Sequence, residues 1–193
     1  PGKTGFLYVF NRVTGEPLWP VEEKSVPRSD MPGEQAWATQ PFPTGPPPFA
    51  RQKFTEKDLS QFIRNPEERA RYRDLLQTAR NEGLFTPPAL RGTVEMPGNN
   101  GGANWGGAAA DPAGARLFVV SKDLPCILKL EPDATGTRYT SSFGFLFTSD
   151  GLSPIAPPWT SLTSYDLNQG KIRWTVSLGD APDLKDTGSV YPK

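Results

Sequence analysis

The stretch "PGKTGFLYVFNRVTGEPLW" (1–19) decides how the chain is read, because "TSLTSYDLNQGKIRW" (160–174) repeats its pattern. In register, Asn11 lies over Asp166, Gly15 over Gly170, Glu16 over Lys171 and Trp19 over Trp174. The aromatic and β-branched run Gly5–Phe10 predicts a strand. "NRVTG" and "DLNQG" then supply a side-chain acceptor and a glycine able to take positive φ, as a tight hairpin needs. The strand after each turn ends on a tryptophan large enough to dock one unit on its neighbour. Two unrelated hairpins would share the turn but have no reason to share the tryptophan. The pattern therefore favours a repeat whose units cannot bury their faces alone.

Bulk properties set the limits. With 193 residues the chain is one domain or part of one, long enough to bury a core. Its 22 Pro and 19 Gly make it rich in turns, while 5 Trp, 5 Tyr and 11 Phe leave enough apolar bulk to fold. Basic and acidic residues balance at 21 each and no basic cluster stands out, which argues against a binder of nucleic acid. No apolar run approaches the length of a membrane-spanning helix. Histidine is absent, so His-based triads, His metal sites and haem attachment are excluded within these residues. Cys126 is alone, so no internal disulfide can form. The chain enters its first strand-like run almost at Pro1 without a methionine, which reads as a piece of a longer protein.

Between the two copies the character changes twice. "PFPTGPPPFA" (41–50) is an extended proline segment that can be neither a central strand nor a helix. The following "FTEKDLSQFIRNPEERARYRDLLQTARNEGLFTPP" (54–88) carries helix signals. Thr55 with Asp58 makes one start, and Asn65 before Pro66, Glu67 and Glu68 makes another. Tyr72, Leu75, Leu76 and Ala79 share a face, and Gly83 is placed as the residue closing the helix. Residues 41–90 thus read as a proline-rich and helical insertion, packed over the rim of its own domain rather than kept for a partner.

The glycine-rich "GNNGGANWGG" (98–107) lacks the Lys-Ser/Thr pair of a phosphate loop and leads into a strand. "ANWGGAAADPAGARLFVVS" reads as strand, turn, strand. "CILKLEPD" (126–133) continues the β pattern, and "TSSFGFLFTSDGLSPIAPP" (140–158) reads as loop-rich. The fold class predicted is all-β with one helical insertion: part of a β-propeller of hairpin-built blades sealed by Trp, about two to three blades in 193 residues.

The runs at 3–43, 83–107 and 157–174, with "PGEQ…TQPFP" and "FTPP…PG…GG…NWGG" the most specific, resemble the pyrroloquinoline quinone (PQQ)-dependent dehydrogenases. The similarity extends from Lys3 to about Asp180, and the nearest branch is the glucose, quinate/shikimate and sorbose-type quinoproteins. The resemblance implies an eight-bladed propeller with PQQ on its axis and a divalent cation, usually calcium. It implies a sugar, polyol or cyclic alcohol substrate oxidised by hydride transfer, and ubiquinone or a cytochrome as electron acceptor. It also implies a periplasmic or periplasm-facing location, with any membrane association supplied by parts outside this chain.

The resemblance gives Lys3 the position of a lysine that touches the quinone carbonyl, where a compact cation would stabilise growing negative charge. Without the family, Lys3 reads as an exposed lysine at a strand end. Asn104 and Trp105 resemble the region that brings an amide and an aromatic ring near the quinone; equally, they read as a turn-satisfying Asn and a buried Trp. Trp19 and Trp174 are docking residues. The general base, an aspartate, and the metal ligands of the family lie upstream of these residues, so the chain alone is expected to be inactive. One departure stands out. Relatives often carry Val-Asn-x-Asn in the strand after the Asp-Pro turn, where this chain has Val119, Val120, Ser121 and Lys122. Two rivals remain: a non-catalytic propeller scaffold, consistent with a lost asparagine at 120, and a free-standing small β domain.

Overall fold

The computed structural model describes residues 1–179, which hold nine strands and one α-helix. Their order is β1 (Val21–Ser25), β2 (Thr39–Pro43), α1 (Pro66–Thr78), β3 (Thr93–Glu95), β4 (Ala108–Asp111), β5 (Arg116–Lys122), β6 (Cys126–Pro132), β7 (Tyr139–Phe145), β8 (Thr160–Asp166) and β9 (Lys171–Ser177). All the sheet pairings are antiparallel.

Strands β4-β5-β8-β9 form a four-stranded sheet, the unit a propeller blade requires. Its hairpins follow the sequence signals closely. Gly114 N–H donates to Asp111 Oδ1 (3.1 Å) in the Asp-Pro-Ala-Gly turn. In the β8–β9 turn Asp166 Oδ1 accepts from Asn168 and Gln169 N–H, and Gly170 takes φ +63°. The opening copy makes the same turn: Asn11 Oδ1 accepts from Val13 and Thr14 N–H, and Gly15 takes φ +77°. It does not make the predicted strand. Gly5–Phe10 carries only one bridge, Phe10 to Pro17, because the facing segment has prolines at 17 and 20 that cannot donate to a ladder. Trp19 still docks as its position suggested. A Cβ on Gly170 would stand 2.5 Å from Trp19 Cε2, so the indole of the first copy lies on the turn glycine of the second.

Two further departures from the sequence reading concern strand content. Within and just before the stretch read as loop-rich (140–158), Tyr139–Phe145 forms β7 and pairs with β6 along its whole length, from Cys126–Phe145 to Pro132–Tyr139. Strands β6 and β7 leave between the adjacent blade strands β5 and β8 and pair with β3, which precedes the blade, so the sheet β3-β6-β7 is not a further blade in chain order. The described residues therefore hold one complete four-stranded sheet with the opening hairpin beside it. The proline segment behaves as argued: Pro41 and Pro43 lie in β2, whose partner is β1 alone.

The helix starts as predicted, with Asn65 Oδ1 accepting from Glu67 N–H (2.9 Å) and Pro66 in the first position. It ends earlier. Ala79 is already extended, and Gly83 belongs to a later turn, where it accepts from Thr86 N–H. Tertiary pairing stops the helix: Arg80 bonds through both backbone groups to the β3 segment, N–H to Gly92 O (2.9 Å) and O to Val94 N–H (2.8 Å). The Arg80 side chain, 4 % exposed, holds the carbonyl of Arg28 and the carboxylate of Glu82.

Apolar burial divides into two clusters. Tyr72, Leu76 and Ala79 of the helical segment join Phe54, Leu59 and Ile63 against Val94, Met96, Leu146 and Ile155, so the helix packs on its own chain. The blade cluster gathers Leu7, Phe49, Ala50, Ala103, Val119 and Tyr165. Tyr165 Oη donates to Pro47 O (2.7 Å), tying the proline segment to the blade. Arg51 joins the two halves, with Nε 2.6 Å from Asp123 Oδ2 and Nη2 donating to Ala156 O and Pro158 O.

Candidate functional site

Lys3 sits in a tight turn closed by Gly2 N–H to Phe6 O and Gly5 N–H to Gly2 O. The glycine-rich loop packs directly on this turn. A Cβ on Gly101 would stand 2.5 Å from Lys3 Cα, and one on Gly102 would stand 2.6 Å from Ala50 Cβ, so only glycine fits at either position. Close approach allows two backbone bonds in series: Gly102 N–H donates to Lys3 O (2.8 Å), and Gly102 O accepts from Lys122 N–H (2.9 Å). One glycine thus fixes the spacing between the opening turn and the end of β5.

The Lys3 side chain is exposed and its Nζ donates to Asn99 O (3.0 Å). It lines a cavity of about 280 Å³ with Phe85, Glu95, Met96 and Asn99. Asn99 and Glu95 are themselves anchored on Cys126, which is fully buried: Asn99 N–H donates to Sγ (3.2 Å), and the thiol donates to Glu95 Oε2 (3.0 Å). Burial, and then the bond to Glu95, push this thiol up to about 12.

Asn104 and Trp105 stand elsewhere. They line a second cavity, of about 380 Å³, with Val120, Lys122 and Thr160. Trp105 is 96 % exposed, against the reading of it as buried, and Asn104 is exposed as well. Lys3 and the Asn104–Trp105 pair are therefore not in one cavity. The loop from Asn99 to Gly102 divides them, and Gly102 is the hydrogen-bonded link between the two sides. Sequence reasoning noted Lys122 only as a departure at an expected asparagine run, and it missed Glu95. Period-two alternation along β5 was the signal for Lys122, since it falls on the same face as Val120.

Residues 1–191 match the family model for the β-propeller domain of glucose/ethanol/alcohol dehydrogenases that use PQQ. The chain belongs to this family. It is 29 % identical to the quinate/shikimate dehydrogenase (quinone) of Acinetobacter baylyi, over 97 % of this chain and 26 % of that protein. It is 30 % identical to the quinoprotein glucose dehydrogenase of Escherichia coli, over 95 % of this chain and 26 % of that protein. With the glycerol dehydrogenase large subunit of Gluconobacter oxydans the identity is 28 %, over 94 % of this chain and 28 % of that protein. The chain thus spans about a quarter of the length of the curated relatives it matches. No solved structure matches it.

A flat, anionic ortho-quinone asks for an open aromatic face, an amide donor and cations. An exposed indole and amide at 105 and 104, an ammonium at 122 in the same cavity and a second at 3 across the glycine loop meet that demand in kind. Among the described residues no group of three or more His, Cys, Asp or Glu side chains could hold a metal ion.

Proposed function

We propose that the full protein is a PQQ-dependent dehydrogenase that oxidises a sugar, polyol or cyclic alcohol, and that this chain supplies part of its cofactor wall. One observation carries the reading: Gly102 ties Lys3 to the cavity where Trp105 presents an exposed ring beside Asn104 and Lys122. The quinone, when bound, supplies the two-electron oxidant for a C–H bond next to a hydroxyl. Lys3 Nζ holds a positive charge and three N–H donors at the cavity mouth, where they stabilise negative charge on a neighbouring oxygen. The Asn99 carbonyl orients that ammonium. Asn104 offers an amide, and Trp105 a flat apolar face that excludes water from one side of a ring.

The proton-accepting aspartate and the divalent cation, calcium, are assigned to other parts of the full protein, as is any membrane association. The quinone in the name of the Acinetobacter relative supports ubiquinone as acceptor, with a cytochrome as the other candidate. Family resemblance supports a periplasmic or periplasm-facing location.

The test is dye-linked oxidation of glucose, quinate and glycerol by the full-length protein reconstituted with PQQ and calcium, beside Lys3→Ala. Turnover that needs PQQ and falls about a hundredfold or more in Lys3→Ala supports the reading. A protein that binds no PQQ would be the scaffold described above. Turnover unchanged by Lys3→Ala would remove Lys3 from the chemistry.

A further inference from the structure

The cavity beside Trp105 is lined by a cation, Lys122, that makes no ion pair among the described residues. Along β5, Val119 and Ser121 turn to the core, 0 % and 4 % exposed, and Ser121 Oγ donates to Phe49 O. Val120 and Lys122 take the other face and line the cavity. Lys122 is half-buried, yet among the described residues no carboxylate lies within ion-pair distance of its Nζ. Its neighbour in sequence, Asp123, is committed elsewhere: Oδ2 to Arg51 Nε (2.6 Å) and Oδ1 to the Arg51 N–H (3.1 Å).

An ammonium that lines an open cavity and makes no ion pair among the described residues has its charge available to an anionic ligand. The backbone of Lys122 is fixed through Gly102, so its side chain starts from a set point on the wall of the cavity that Trp105 also lines. We infer that Lys122 binds an organic carboxylate whose ring lies against Trp105. The inference rests on the proposed quinoprotein function. The carboxylate has two sources, PQQ itself or a carboxylic-acid substrate such as quinate, and one experiment separates them.

The full-length protein is compared with Lys122→Gln, Lys122→Met and Lys122→Arg. The first readout is the Kd of apo-protein for PQQ from quenching of tryptophan fluorescence, which needs no turnover. The second is the KM for quinate and for the neutral alcohol glycerol at saturating PQQ. Loss of a charge-assisted bond weakens one of these by roughly tenfold or more, and Lys122→Arg keeps most of the affinity. A raised Kd for PQQ identifies the cofactor carboxylate. A raised KM for quinate with unchanged KM for glycerol and unchanged Kd identifies the substrate carboxylate. The Met variant keeps most of the side-chain volume, so a loss common to Gln and Met, at unchanged melting midpoint, reports the charge. If quinate is not turned over, the PQQ titration alone decides. Values for PQQ and quinate within twofold of wild type in both neutral variants overturn the inference and leave the quinoprotein function intact. No binding of PQQ by the wild type overturns both.

Discussion

Replacing Gly102 by alanine tests the joint between the opening turn and the blade. The new Cβ would lie 2.6 Å from Ala50 Cβ, while its next neighbours, Gly5 Cα and Phe49 Cε2, stand at an ordinary 3.4 Å. Overpacking of this kind costs about 1–3 kcal/mol. The bonds of Gly102 to Lys3 O and Lys122 N–H must stretch as well, each worth about 1 kcal/mol, which places the expected loss near the top of that range. Ala50→Gly removes the one clashing methyl. Calorimetric melting of the full-length protein should therefore show Gly102→Ala lowered, Ala50→Gly slightly lowered, and the double variant less affected than the sum of the two. The expected coupling is about 1–2 kcal/mol. PQQ titration of the same variants should weaken in Gly102→Ala and recover in the double variant. Strictly additive losses, or a Gly102→Ala protein as stable as wild type, would refute the close contact.

Three further outcomes are expected. Gly15 and Gly170 hold equivalent turn positions, but a Cβ on Gly15 meets nothing within 4 Å, whereas one on Gly170 meets Trp19. Gly15→Ala should cost only the left-handed backbone penalty of about 1–2 kcal/mol, and Gly170→Ala clearly more, with a change in tryptophan fluorescence. Arg51→Met leaves the Asp123 carboxylate, 13 % exposed, and two carbonyls without their donor. A loss of about 2–3 kcal/mol is expected in urea unfolding, with Arg51→Lys recovering only part because the planar fork is gone. Cys126 gives a pH dependence. Its thiol is raised from 9.0 to about 12, so above pH 9 the unfolded chain releases this proton while the folded one keeps it. The associated stability is complete below pH 9 and is lost as pH rises toward 12; Cys126→Ala should show a flatter decline over that window in pH-dependent melting.

The features legible in the sequence were those set by a few neighbouring residues. Asn11 and Asp166, four positions before Gly15 and Gly170, specify their turns locally, and Asn65-Pro66 specifies a helix start in the same way. Long-range pairing was hidden. The helix stops at Thr78 because Arg80 is drawn to Gly92 and Val94, which no local pattern announces. Residues 140–158 read as loop-rich, but Tyr139, Phe143 and Phe145 find a full-length partner in β6. Gly5–Phe10 shows the reverse case, strand-forming residues facing prolines. At the site, Lys3, Asn104 and Trp105 were legible as residue types, but their division between two cavities depends on how closely Gly101 and Gly102 approach the opening turn.

The excursion between β5 and β8 has a consequence for how the chain reaches this state. β4–β5, β6–β7 and β8–β9 are hairpins of adjacent residues, but the pairing of Lys122 with Thr160 joins residues with the whole β6–β7 excursion between them. Without β8, β5 is an open edge, and no tight turn fixes its alignment with β8. That alignment rests instead on which side chains reach the interior, Val119 and Ser121 against Ser161 and Thr163. A slip of one residue would turn Val119 outward and bring Val120 and Lys122 inward. The least local pairing in this blade is thus also the one that sets which way Lys122 points.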